Sequence, residues 1–328
     1  MKKNIAIIAG GYSSELEVSL QSVETIYANL PDDKYNSYVV IINLEGWNVR
    51  LNEALFPMNK NDFSFVLDGN KINFDCVYLT IHGTPGEDGK LQGYFDMLGI
   101  PYNSANQKAS ALTFDKWTCN QVLANNGIQV SKSILINDRA ALFNTKEIVA
   151  ELGLPCFVKP NDGGSSFGIS KVKEEIQLIP AINRAFAEGN EVMIESFMDG
   201  KEVTCACYKL GNELFTLPLI EIVSENEFFD YEAKYEGLSQ EICPARVSKE
   251  IKNAVQSLTK EIYKLLGLKG IIRVDYMLVN DKPLVIEINT APGMSGASLV
   301  PQMVQEQENL DLENLLSNII EDAMRIQY

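Results

Sequence analysis

The stretch Ile271–Leu299, IIRVDYMLVNDKPLVIEINTAPGMSGASL, constrains this chain more than any other. It reads as two strands joined by a polar turn at Asn280-Asp281-Lys282, followed by a loop of small residues. Pairing Val279 with Pro283 sets Asp275 opposite Glu287 and Arg273 opposite Asn289, and side-chain alternation puts all four on one face. Two carboxylates facing each other across a ladder destabilise a sheet unless something offsets their charge. A solvated edge hairpin would tolerate them, but the flanking Ile, Val, Tyr and Leu residues argue for burial, where unpaired acids are rare. Two acids and an amide carbonyl form an oxygen-only set suited to a hard divalent cation. The pattern predicts a metal site, and it predicts that Asp275→Asn relieves the bare sheet and leaves the fold intact.

At 328 residues, with 46% hydrophobic and 22% charged content, the chain has room for two or three domains and a sizeable core. A formal net charge of −16 disfavours nucleic acid and anionic membrane as partners, so a polyanionic substrate needs a locally basic pocket. Cysteines 76, 119, 156, 205, 207 and 243 form no CxxC pair and sit in apolar surroundings, as expected of reduced, buried thiols. The apolar run Ile5–Ala9 is too short for a signal peptide, and no segment approaches transmembrane length.

Asn4–Ala9 suits a buried parallel strand closed by Gly10-Gly11. Ser14 and Glu17 have capping-box spacing, and Leu16, Leu20, Val23, Tyr27 and Leu30 form one face of the following helix. Glu15 then falls in the first turn, at a strand–glycine–helix junction where open α/β sheets bind ligands. The helix dipole accounts for an acid there equally well. Strands are expected at Ser37–Asn43 and Asp75–Ile81. The chain's single histidine, His82, follows the second of these, taken as a central strand, and the Gly-rich turn after it favours a ligand-facing role. The first domain is expected to end near Asn103.

Residues 109–127 read as one helix carrying Lys116, with a strand near Ser133–Ile136 and a helix near Lys146–Leu152 to follow. The strand Cys156–Lys159 leads to a glycine- and serine-rich loop, Asn161–Gly168, before the β run Ile169–Val172. Such a loop offers N–H groups and hydroxyls to phosphate oxygens, although it lacks both P-loop order and GxGxxG. Glu191–Ser196 reads as a strand, and Thr204–Tyr208 with Glu213–Val223 as a hairpin. Residues 224–246 are acid-rich and aromatic without a clean period, as in a functional loop, and a helix is expected over Ser248–Leu266. A last amphipathic helix covers Leu310–Ile326.

Taken together, these stretches resemble the D-alanine–D-alanine ligases of the ATP-grasp superfamily over essentially the whole chain. The matching motifs are GGYSSELEVS (10–19), HGTPGEDGKLQG (82–93), DK (115–116), FVKPNDGGSSFGISKV (157–172), EVMIESFMDGKEVT (191–204), FFDYEAKY (228–235), RVDYML (273–278) and IEINTAPGMSGASLVP (286–301). The resemblance implies an α/β ATP-grasp fold: an open parallel α/β domain over 1–103, a central domain over 104–190, and a catalytic domain over 191–328 with a mobile loop at 224–246. The last two would sandwich ATP. Asp275, Glu287 and Asn289 would hold two Mg2+ ions, or Mn2+. Lys116, Lys159 and Ser166 would contact phosphates, Glu195, Phe197, Met198 and Glu202 the adenosine, and Lys234 the γ-phosphate. Glu15 would hold the ammonium of the first D-alanine, with His82 near its carboxylate. Ser298 and Leu299 would bind the second, while Arg273 and the Gly293 amide stabilise the oxyanion. Ser165 and Tyr235 would link to Glu15.

The implied activity is ATP-dependent ligation of two D-alanine molecules through an acyl phosphate, for peptidoglycan precursors, by a cytoplasmic homodimer. Departures from common members include Asn161-Asp162-Gly163 in place of an Arg/Glu-containing turn, and Phe229 in place of tyrosine.

Overall fold

The computed structural model of the chain describes residues 2–13, 15–140, 143–164, 167–224 and 239–325. Three sheets carry it. The first is built on β1 (Lys3–Gly10), whose run IAIIAG is buried from Ile5 onward, as a parallel strand covered on both faces requires. It pairs in parallel with β2 (Tyr35–Asn43), beyond which β3 (Gly46–Leu51) and β4 (Ala54–Pro57) add an antiparallel extension. A separate short hairpin joins β5 (Phe65–Leu67) to β6 (Asn70–Ile72). On the other side of β1 lies β7 (Cys76–Leu79), also parallel and last in the five-stranded order. Although β7 is the last named strand, Val77 also makes a parallel bridge to Tyr102, so His82 follows a strand that is paired on both edges. The sheet is also mixed, not purely parallel. Helices α1 (Leu16–Asn29) and α2 (Lys90–Leu98) complete this part. Ser14 lies outside the described residues. Glu15 occupies the N-cap position of α1, where no side-chain cap bond forms, so Glu15 precedes the first turn.

The reading of 109–127 as one helix is corrected. α3 (Gln107–Phe114) stops at Asp115, and α4 (Lys116–Asn125) restarts there. Asp115 breaks the run by adopting extended backbone and accepting from Thr118 N–H, so its side chain caps the second helix. The second sheet is antiparallel, in the order β10 (Ser170–Val172), β9 (Cys156–Pro160), β11 (Val192–Ser196), β8 (Ser133–Ile136). α5 (Thr145–Leu152) and α6 (Leu178–Glu188) cover one face, Leu178, Ile182 and Phe186 burying against Val158 and Ile194.

In the third sheet β12 (Lys201–Leu210) pairs with β13 (Glu213–Thr216) and β14 (Ile220–Ser224) on one side and with β16 (Ile271–Val279) on the other. The expected strand 213–223 is split, because Pro218 cannot donate to the ladder. β15 (Ser239–Ile242) pairs with β14, so part of the 224–246 segment is strand. β17 (Lys282–Asn289) closes the far edge. The CAC alternation of β12 puts Cys205 and Cys207 in the core under α7 (Lys249–Leu265), and Ala206 and Tyr208 in the core shared with β1 and α1. That second core also takes in α8 (Leu299–Gln305) and α9 (Leu312–Arg325). All six cysteines are free thiols, Cys243 half-buried and the others buried.

Where these parts meet, the carbonyl of Asn103 passes directly over Gly270, the residue before β16. A Cβ on Gly270 would lie 1.6 Å from that oxygen, and its φ of +66° is one that other residues adopt only with strain. Gly270→Ala is expected to destabilise the protein by about 3 kcal/mol or more, from the left-handed backbone and the overlap together. Urea denaturation of both proteins checks this, and equal midpoints would show that the contact relaxes without cost.

Candidate active site

The hairpin β16–β17 sets Asp275 opposite Glu287 and Arg273 opposite Asn289, as the sequence predicts. Its turn differs: Asn280 and Asp281 have φ of 49° and 63°, which fits a two-residue loop, and Val279 pairs with Lys282. A bulge between Asp275 and Tyr276 restores the register before the acids. The charge of Asp275 is offset from within the protein. Arg273 Nε and Nη2 donate to its two oxygens at 2.8 Å each, Asn289 Nδ2 donates at 3.1 Å, and the Thr204 hydroxyl donates as well. Burial alone would lower Arg273, but attraction to Asp275 and then Glu287 holds it above its ordinary value. Glu287 forms no hydrogen bond or ion pair among the described residues.

Lys159 and Glu195 face the same way from neighbouring antiparallel strands, β9 and β11, and pair at 2.6 Å while both side chains are only 5% exposed. Glu195 Oε2 is buried and has no partner among the described residues. These two line a cavity with Phe157, Ile169, Met198 and Glu202. Phe197 is not among its lining residues; its ring tilts against Phe157 and carries the Lys171 ammonium 4.2 Å from its centroid. Lys116, first residue of α4, donates to the Gly163 carbonyl. Burial pulls Lys116 below its ordinary range, opposed chiefly by Glu287.

A second cavity is lined by Glu15, His82, Asn289, Gly293 and Ser298. Glu15 reaches across to the glycine loop, where a Cβ on Gly164 would lie 2.7 Å from its Oε2. Ser13 ties this helix start to the 82–84 loop through the His82 carbonyl, at 2.9 Å. His82 is buried, with Nε2 unpartnered among the described residues. Burial pushes its pKa down, Glu15 opposing, so it stands as the neutral imidazole. Ser298 Oγ accepts from Ser295 N–H at 3.1 Å beneath Gly293, and Met294 N–H is held by Ser22 of α1 at 3.2 Å. The two cavities adjoin: Lys116, Gly163, Gly164, Arg273, Glu287 and Leu299 line both.

Sequence reasoning passed over Glu87, although the GEDG turn that holds it was in view. It lines the second cavity, accepts from Gly83 N–H at 2.8 Å, and is pushed up to about 8 by burial and then by Glu15. It also passed over Thr204 and Glu241; the latter lines the same cavity and is held by Gln302 of α8. Ser165, Ser166, Lys234 and Tyr235, together with Phe229, lie outside the described residues.

The donor chemistry fits a divalent cation bound with a phosphate. No group of three His, Cys, Asp or Glu able to hold a metal occurs among the described residues. Two carboxylates and an amide are too few ligands for an all-protein cage, but they suit Mg2+, which completes its shell with water and substrate phosphates. Asn289 donates its amide nitrogen to Asp275, which leaves its carbonyl oxygen as the acceptor.

Three layered units around a nucleotide-sized slot, with lysines under a glycine loop and acids on the facing hairpin, define an ATP-grasp enzyme. The family descriptions "D-ala D-ala ligase N-terminus" and "D-ala D-ala ligase C-terminus" match residues 4–105 and 122–321. The chain belongs to the D-alanine–D-alanine ligase family. It is 50% identical to the D-alanine–D-alanine ligase of Parabacteroides distasonis, over 99% of this chain and 98% of that one. With that of Bacteroides fragilis it shares 49%, over 98% and 99%. Among solved structures it superposes on the VanG D-Ala:D-Ser ligase of Enterococcus faecalis with a TM-score of 0.86 at 34% identity, covering 98% and 99% of the two chains. For the Bacillus anthracis ligase complexed with ATP the values are 0.79 and 30%, over 99% and 98%.

The fork between Arg273 and Asp275 reverses the expectation for Asp275→Asn. Removing the charge leaves a guanidinium that is 16% exposed without its counter-ion, so the variant is expected to lose roughly 3 kcal/mol of stability. Chemical denaturation without nucleotide or metal measures this, and unchanged stability would restore the simpler reading of two repelling acids.

Glu87 gives a pH signature. Its pKa is about 8 in the folded chain against 4.5 ordinarily, so the native state binds the extra proton between those values. Its contribution to stability is complete below about pH 4.5 and is lost as pH rises through about 8. Glu87→Gln, which keeps an acceptor for Gly83, is expected to flatten the decline in melting temperature over that window. Parallel curves for both proteins would show that Glu87 ionises freely.

Proposed function

We propose that this chain condenses two D-alanine molecules to D-alanyl-D-alanine with ATP, forming ADP and phosphate. The observation that carries the reading is the shared wall: a slot for a nucleotide and a cavity for small zwitterions meet at Lys116, Gly163, Gly164, Arg273, Glu287 and Leu299. A carboxylate is a poor acyl donor because it has no adequate leaving group. Transfer of the γ-phosphoryl group to the first D-alanine gives an acyl phosphate, and the second amine displaces phosphate from it.

Each residue has a place in that scheme. Lys116 and Lys159 hold phosphate oxygens beneath the 163–164 backbone. Glu195, Met198 and Glu202 receive the adenosine, with Phe197 supporting the wall through Phe157. Glu15 takes the first ammonium and neutral His82 stands beside that carboxylate. Ser298 and Leu299, at the start of α8, receive the second carboxylate. Arg273 and the Gly293 amide face the developing oxyanion. Ser165 and Tyr235 linked to Glu15, Ser166 on phosphate and Lys234 on the γ-phosphate are proposed from the resemblance alone. Asp275, Glu287 and Asn289 would hold Mg2+ or Mn2+, which supplies charge neutralisation at the transferring phosphoryl group. The divisions at 103 and 190, a homodimer and a cytoplasmic setting belong to the same proposal. So do the peptidoglycan-precursor role and the exclusion of nucleic acid and membrane surfaces. The net charge of −16 supports that exclusion, and among the described residues no helix is long and apolar enough to cross a membrane.

The test is phosphate release from ATP with Mg2+ and D-alanine, with the product identified by mass. D-Alanine-dependent release and the dipeptide mass are expected. Absence of ADP formation with D-alanine and with other amino and hydroxy acids would overturn the reading.

A further inference from the structure

Asn161 is 1% exposed, yet it stands in a turn where a buried amide is conspicuous. All of its polar groups are used. Its N–H donates to the Glu191 carbonyl at 2.9 Å, and its carbonyl accepts from Lys116 N–H at 3.1 Å. Its Oδ1 accepts from Trp117 N–H at 2.8 Å, while Nδ2 donates to Asp115 Oδ1 at 2.8 Å and to Glu191 Oε2 at 2.9 Å. A carboxylate in its place could donate to neither acid, and a hydrophobic residue would strand both.

The consequence is geometric. Asn161 O, Asn161 Oδ1 and Asp115 Oδ1 together engage the first three N–H groups of α4, those of Lys116, Trp117 and Thr118. A helix start satisfied in this way offers no free N–H to an anion, so only the Lys116 side chain remains to meet one. The same residue follows the end of β9, which carries Lys159, and it grips the entry to β11, which carries Glu195. One amide thus ties the start of α4, where Lys116 stands, to the strand that carries Lys159.

Resting on the ligase reading above, we propose that Asn161 is a positioning residue that holds Lys116 and Lys159 in register for the nucleotide phosphates. It touches no substrate; it acts through the lysines. Misplacing a phosphate-binding group costs transition-state and nucleotide binding before it affects remote subsites.

The experiment compares the native chain with Asn161→Ala in steady-state ligation, varying ATP and D-alanine separately. The KM for ATP is expected to rise about tenfold, the scale of one or two lost buried hydrogen bonds, with the KM for D-alanine changed less than about twofold. Combined with Lys116→Ala, the change should raise the KM for ATP by less than the product of the two separate factors, because part of its effect runs through Lys116. Asn161→Ser, which keeps an acceptor for Trp117 N–H, replaces the alanine variant if that one does not fold. It should fall between the two in KM for ATP. An unchanged KM for ATP, an equal rise for both substrates, or full additivity with Lys116→Ala would each overturn the positioning role. Failure of the native chain to ligate would instead overturn the ligase reading.

Discussion

The Arg273–Asp275 fork is the interaction on which the rest of the site depends. Burying either charge alone is prohibitive, and burying both is tolerable only when their hydrogen bonds are filled. Here they are: Arg273 spans both carboxylate oxygens, and Asn289 and Thr204 add donors to the same group. The second acid, Glu287, then lies beside a cation rather than a bare anion, which lets two carboxylates share a ladder rung. The metal expected from sequence is therefore not what makes the hairpin foldable. A cation bound there would meet the Asp275 and Glu287 carboxylates and the carbonyl oxygen of Asn289.

The same principle explains why the site sits between sheets. Lys159 and Glu195 form a nearly dry pair on the second sheet, and Arg273 and Asp275 form another on the third. Each pair occupies a polar face whose reverse packs an apolar core. Val158 and Ile194 bury under α6, while Val274 and Ile288 bury under α7. The alternation that fills the cores therefore also aims the charges at each other across the slot. In a chain with a net charge of −16, Lys116, Lys159 and Arg273 gather positive charge locally around this slot.

Much of this was legible because it follows from periods and spacings. β1, the register of Asp275 against Glu287, and the Ser248 cap of α7 come from local chemistry that tertiary packing does not overrule. The misreadings have equally local causes. No glycine or proline interrupts residues 109–126, and only the capping geometry of Asp115 reveals the break. The strand expected over 213–223 breaks where Pro218 interrupts the ladder. The burial and pairing of Glu87 and Asn161 were not legible for another reason. Their significance lies in burial and in partners distant in sequence, such as Glu15 and Glu191.

Burial also sets protonation in this site. The cavity beside the slot holds Glu15, Glu87, Glu287 and His82 within one lining, an arrangement that would repel a carboxylate if every acid were charged. Burial resolves this by pushing Glu87 up to about 8 and His82 down, so both stand neutral near pH 7. Glu15 and Glu287 share this lining with Lys116 and Arg273. Moving either neutral group into its charged form changes the field at both partners at once. The missing side chain at Gly164 lets Glu15 approach the backbone closely, since a Cβ there would lie 2.7 Å from Oε2. Neutral Glu87 thus leaves this cavity less negative near pH 7 than its number of acids suggests, while burial keeps His82 from adding a positive charge.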